Sequence, residues 1–282
     1  MMHLAPLARG LLITAAVAAL AAGCNRREEA AEAPVPSAEA PVVEAPATEP
    51  APLSYESETP HAEVKLTLPA AIASQPDLHA RLYSEAVRNL RSFTEGARAD
   101  RTEYQGDMNL PPYDKSIEYA LAGETGKLMS LQRNDSEFTG GAHPNPGYGA
   151  VLWDKALKRI VEPAQLFRRG ADLAPLDRAL CEAINAARKE RNPDAEPVTL
   201  AGGDGFACPR ANVTPFVLAP STTAGKAGGL VFLIGPYQVG PYAEGGYEIA
   251  VPQSAFRNLL APAYADEFAG QPTRTGDVSD RG

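Results

Sequence analysis

Histidine, cysteine and tryptophan offer the most versatile chemistry, and this chain has four, three and one of them in 282 residues. His143 stands apart. It lies in Thr139, Gly140, Gly141, Ala142, His143, Pro144, Asn145, where paired glycines open backbone conformations closed to other residues and proline fixes the exit. A histidine there acts as acid, base or ligand only if partners converge on it. No HExxH, GxSxG, P-loop or dinucleotide glycine pattern supplies them. His143 therefore reads as hydrogen-bonding its own loop, with a hydrolase using it as the alternative. His79, on the polar side of a helix, and His61, before a strand, are expected to be solvated. The 35 acidic residues single out no pair for glycoside hydrolysis. Cys181 and Cys208 lack the neighbouring His or second Cys pair that a metal needs, so neither metal nor cofactor is expected. Trp153 alternates with Val151 and belongs in a core. A second unusual loop runs from Tyr237 through Gly240, Pro241 and Tyr242 to Gly245 and Gly246. Its two tyrosines offer large contact area at low entropy cost, for a partner or as a cap on a sheet edge.

These loops need elements to position them. Val64, Leu66 and Leu68 alternate as a half-buried strand does. Ser74 and Pro76 start a helix whose face is Leu78, Leu82, Ala86, Leu90 and Phe93, with Gly96 expected to end it. Ile117 to Leu121, a turn at Gly123 to Gly126, and Leu128 to Phe138 read as a hairpin. After a Gly/Pro-rich loop over Gly140 to Gly149, Ala150 to Trp153 is a strand and Asp154 to Arg159 its turn. Asp172 marks a second helix with the stripe Leu173, Leu176, Leu180, Ile184, Ala187. Strands then follow at Val213 to Leu218, Leu230 to Ile234 and Tyr247 to Val251, and a short helix from Pro252 buries Phe256, Leu259 and Leu260. The apolar run Leu230 to Ile234 is that of a central strand covered on both faces. The fold class is α+β: a small strand-helix-hairpin domain over 53–139, packed with a mixed or antiparallel sheet domain carrying helices over 140–268. Residues 269–282, polar and Gly-rich, read as a disordered tail.

The N-terminus carries an address. Arg9 precedes the apolar run Leu11 to Leu20, too short to span a bilayer comfortably, and Ala21, Ala22 and Gly23 lead to Cys24. Small residues before a cysteine resemble the lipobox of bacterial lipoproteins, although Leu stands at 20 and Ala at 21, one place off the usual pattern. The resemblance implies a signal peptide over 1–23, lipidation of Cys24 and a membrane anchor. Asn25 after it resembles the outer-membrane sorting pattern, which implies a cell-envelope location facing the periplasm. From Cys24 to Pro52 the chain is rich in Ala, Pro and Glu, and reads as an extended tether. No later stretch has the roughly 20 apolar residues of a spanning helix. Loss of the signal removes Arg9 from a chain of net charge −9. An acidic head is a poor partner for nucleic acid and suits a basic one. Export also makes a Cys181 to Cys208 disulfide the economical assumption, with free thiols as the runner-up; it would close the loop around Arg191 to Gly205 and contribute about 3–4 kcal/mol.

The Thr139 to Asn145 loop, the Tyr148 to Trp153 strand, the Asp154 to Arg159 turn leading to Pro163, Ala164, Gln165, Leu166 and Phe167, and then Tyr237 to Gly245 resemble a family of exported bacterial domains of unknown function. That family includes the extracellular part of lysozyme-sensing anti-sigma factors and a non-catalytic domain of certain peptidoglycan deacetylases. The similarity covers roughly residues 55 to 262, with the part before Thr139 resembling the smaller companion domain. It implies recognition rather than turnover, with lysozyme, a basic protein, or peptidoglycan as ligand. The expected contact residues are Thr139, Gly140, Gly141, His143, Pro144, Asn145, Tyr237, Pro241, Tyr242 and Gly245. With no spanning helix or sigma-binding segment read, the sensors' signalling route is not expected. A structural envelope lipoprotein without a specific ligand is the plainest alternative.

Overall fold

The alternation expected of strands and the 3.6-residue stripe expected of helices meet in two stacked sheets. The computed structural model describes residues 51–103, 111–202 and 205–279. Cys24, the signal and the tether as far as Pro50 lie outside the described residues. The first sheet is mixed and has the order β1 (Ser54–Glu58), β2 (Ala62–Thr67), β3 (Tyr113–Glu124), β4 (Leu128–Phe138), β5 (Asn145–Asp154), β6 (Arg159–Ile160), with only β2 and β3 parallel. That one parallel pair needs a crossover, supplied by α1 (Pro76–Glu103). Leu78, Leu82, Ala86 and Leu90 of α1 pack on Val64, Leu66, Ile117, Met129, Leu131 and Trp153. Trp153 also donates its indole N–H to Gln75 Oε1 at 3.0 Å, which satisfies its polar atom inside the core.

After α2 (Pro163–Leu166) and α3 (Ala174–Arg191) come β7 (Phe216–Pro220), β8 (Ala227–Ile234) and β9 (Tyr247–Pro252). Then follow α4 (Pro262–Ala265) and β10 (Gly276–Asp277). The second sheet, antiparallel, has the order β10, β9, β8, β7. Strand β8 is buried along its whole length. Leu230, Phe232 and Ile234 point to Leu176, Leu180, Ile184 and Ala187 of α3, while Val231 and Leu233 point to the opposite cluster that takes in Ala122, Tyr148 and Ala150 of the first sheet. A strand covered on both faces has to read as a continuous apolar run, and this one does.

Several expectations need correction. α1 runs through Gly96 to Glu103, because burial of Ala97 outweighs the roughly 1 kcal/mol that a mid-helix glycine costs. His79 is only 3% exposed: Pro52 crosses the start of α1, and the ring Nε2–H donates to its carbonyl at 3.1 Å. The boundary between 139 and 140 falls inside the β4–β5 hairpin of a single sheet. β5 starts at Asn145 rather than Ala150, since Pro146 points its missing N–H away from β4. β7 starts at Phe216 rather than Val213, which is exposed on a turn. Pro252 leads into two 3-10 turns, Gln253–Ala255 and Arg257–Leu259, rather than one helix. The expected tail instead contributes β10, paired to β9 at Ala250 and Ile249, and Val278 is buried; residues 280–282 lie outside the described part.

Candidate binding site

The two loops singled out by composition meet. The β4–β5 turn is shaped by Gly140 and Gly141 at φ 95° and 104°, backbone that a side chain would strain. It delivers His143 to the loop between β8 and β9. The His143 and Tyr242 rings stack at 3.8 Å between centroids and 15° between planes, and Tyr237 lies 5.4 Å from Tyr242 at a tilt of 39°. The Pro144 carbonyl ties both loops together. It accepts from His143 Nδ1–H at 3.0 Å and from the Tyr242 hydroxyl at 3.2 Å. A carbonyl can only accept, so Nδ1 is the ring nitrogen that donates here. Tyr237 is 59% exposed and holds φ 66°, a conformation rare for a bulky side chain and maintained only when its surroundings impose it. The Gly235 N–H donates to Gln238 Oε1 at 3.0 Å beneath it.

Not every expected residue joins the ring cluster. His143, Pro144, Tyr237 and Tyr242 do. Thr139 and the two glycines are exposed and form the turn, Asn145 opens β5 opposite Glu137, and Pro241 and Gly245 bracket the 3-10 turn Tyr242–Glu244. Among the described residues, no carboxylate hydrogen-bonds His143 and no group of three or more His, Cys, Asp or Glu is placed to hold a metal.

What holds the second loop in place is a buried charge network absent from the sequence reading. Arg188 of α3 grips the Glu244 carboxylate with Nε at 3.1 Å and Nη2 at 3.2 Å, and the Tyr247 hydroxyl donates to the same group at 2.7 Å. Arg188 Nη1 also donates to the Glu196 carbonyl at 2.6 Å. Arg191, one turn on, donates to the Glu244 carbonyl at 2.5 Å, lies 3.6 Å over the Tyr247 ring and bonds Asp277 of β10 through both Nε and Nη2. Glycine is required at 240, where a Cβ would lie 2.3 Å from Glu244 Oε2. Burial pushes the Glu244 carboxyl up, but the bonds from Arg188 and Tyr247 outweigh it and leave it below the usual range. Burial and the Glu244 hydrogen bond push Tyr247 up to about 12, so its hydroxyl stays a donor.

Two further carboxylates share this behaviour. Glu267 is raised by burial but lowered more by the Thr125 hydroxyl and the Lys127 N–H, and Asp277 is raised by burial but lowered more by Arg191 and Ser279. A carboxylate whose folded value lies below its unfolded value stabilises the fold above the unfolded value and loses that contribution as pH falls through the folded one. Unfolding free energy is therefore expected to be level above roughly pH 5 and to fall as the medium is acidified further. Urea titrations across that range check it, and a flat profile down to about pH 3 would show that these bonds do not matter.

Residues 55–146 match the family model described as "Deacetylase PdaC", and residues 164–254 match the one described as "Protein of unknown function (DUF3298)". The two matches fall in the order, and within the stretch, of the resemblance read from the sequence. A DUF3298-family crystal structure from Bacteroides fragilis is 18% identical, covering 76% of this chain and 95% of its own, at a TM-score of 0.48. Another, from Pseudomonas aeruginosa, is 16% identical, covering 79% and 99%, also at 0.48. No curated protein matches the chain. No helix among the described residues is long and apolar enough to cross a membrane.

Proposed function

We propose that the chain is a non-catalytic recognition module of the cell envelope, lipid-anchored at Cys24 on the outer membrane and facing the periplasm, whose ligand is a lysozyme-like cell-wall hydrolase or peptidoglycan itself. The observation that carries this is the stack of His143 on Tyr242 beside exposed Tyr237. Three rings from two distant loops, one of them on the 3-10 turn that the Arg188–Glu244 pair fastens, make a preorganised contact surface. A hydrolase would need an acid or base beside His143, whereas its Nδ1 meets a carbonyl and its ring face meets Tyr242. The net charge of −9 favours a basic protein ligand.

Calorimetric titration of the chain with c-type lysozyme and with muropeptides tests this. One of them is expected to bind at physiological salt, and Tyr242→Ala is expected to weaken that binding by roughly 2 kcal/mol, about thirtyfold. Absence of both interactions would end the proposal.

A further inference from the structure

β5 has an open outer edge. Leu152 gives its carbonyl to the Val161 N–H at 2.7 Å on the β6 side, while the Lys155 N–H reaches back to the Lys127 carbonyl at 2.9 Å on the β4 side. Pairing in an antiparallel ladder alternates, and the β4–β5 register is unbroken, so residues 148, 150 and 152 turn their backbone groups away from β4. β6 covers that side only at Trp153 and Asp154. The outward N–H and C=O of Tyr148 and Ala150 thus have no partner among the described residues. Pro146 closes this edge at its N-terminal end, where it has no N–H to offer, and between Gly147 and Leu152 no lysine and no bulge, the other devices that commonly protect a sheet edge, stands in the way.

A groove of about 330 Å³ runs along the same edge, walled by Leu152 and Val161 on one side and by Val213 and Phe216 on the other. Val213 is exposed. Among the described residues, Glu162 is the one ionisable side chain on its walls. Unpaired donors and acceptors spaced along an extended strand match another extended backbone and no small molecule as well. The lone carboxylate and the negative net charge select the sign of the partner.

We infer that the outer edge of β5 takes a short extended segment of a partner polypeptide as an added strand in line with β6, with small apolar side chains in the groove and a lysine or arginine against Glu162. This deepens the recognition reading by naming a protein segment as ligand. It does not depend on the ring cluster of His143 and Tyr242.

The probe is a capped synthetic peptide of alternating valine and threonine ending in lysine, added to the full chain. Amide hydrogen exchange at Tyr148 and Ala150 is expected to slow at least about tenfold on saturation. The same peptide N-methylated at alternate amides is expected to bind at least about tenfold more weakly, because it loses the backbone bonds. Ala150→Pro removes an outward N–H without touching the β4 ladder, and is expected to weaken binding to a similar degree. Should that variant fail to fold, exchange in the unsubstituted chain decides alone. Unchanged exchange at the two amides, or equal binding of the methylated peptide, overturns the inference. So does concentration-dependent protection of these amides without peptide, which would give the edge to a second copy. Perturbation confined to His143 and Tyr242 also overturns it and leaves the loop reading standing. Edge binding combined with no response to lysozyme or muropeptides removes the loop reading alone.

Discussion

Arg188→Met is expected to destabilise the protein by roughly 3–5 kcal/mol, the cost of stranding a buried carboxylate. Arg188 and Glu244 are 7% and 10% exposed in their side chains, and their bonds are charge-assisted and two-pronged. With Arg188 gone, the Glu244 carboxylate keeps one side-chain hydrogen bond, from the Tyr247 hydroxyl, and the nearby charge of Arg191 against its burial. The companion change Glu244→Leu in the same background is expected to recover most of the loss, since removing both partners of a buried pair is far cheaper than removing one. Denaturant unfolding of the two singles and the double measures this directly. The loop should respond along with the stability. Tyr242 belongs to the same 3-10 turn as Glu244, so a freed carboxylate is expected to loosen the ring stack on His143. Equal stability of Arg188→Met and the parent chain would show that the network is ornamental.

Removing the disulfide between Cys181 and Cys208, by Cys→Ala at both positions, is expected to cost about 3–4 kcal/mol while leaving the native contacts in place. The bridge joins residues 27 apart in sequence, with Cα atoms 5.3 Å apart. Side-chain and backbone bonds hold the loop it closes as well. Asn185 makes two bonds of 2.8 Å to the backbone of Val198, Arg188 reaches the Glu196 carbonyl, and the Cys208 N–H bonds the Thr199 carbonyl at 2.9 Å. With the folded loop so fastened, the bridge acts mainly by restricting the unfolded chain. The expected signature is a lower unfolding free energy with near-native circular dichroism. Loss of the native spectrum at low temperature would mean that the bridge, and not the side-chain bonds, shapes the loop.

The periodic elements were legible because burial imposes a period. The stripe Leu176, Leu180, Ile184, Ala187 and the unbroken run into Ile234 each follow from a face that has to be covered. Single residues with directional roles were not. Pro146 reads as a loop residue until the register shows that its nitrogen faces outward, and Gly96 as a stop until the packing of Ala97 is seen. His79 looked solvated because the chain that covers it comes from before the helix. The two candidate loops were legible as unusual through glycine, proline and tyrosine content, but not the bond between them, which links positions 98 apart. Still less visible was the charge network, whose partners lie 56 and 86 residues apart and whose arginines look like ordinary basic residues in the last turn of a helix. Asp277 shows the same limit, since a short polar segment becomes an edge strand through its pairing with β9, the burial of Val278 and the bond from Arg191.

That His143, Tyr237 and Tyr242 form one ligand-facing surface is tested most directly by mapping amide shifts during titration with c-type lysozyme. Perturbations are expected to gather on residues 139–145 and 235–246 together and to vanish from both loops in Tyr242→Ala. Binding that perturbs one loop without the other, or neither, would contradict the account.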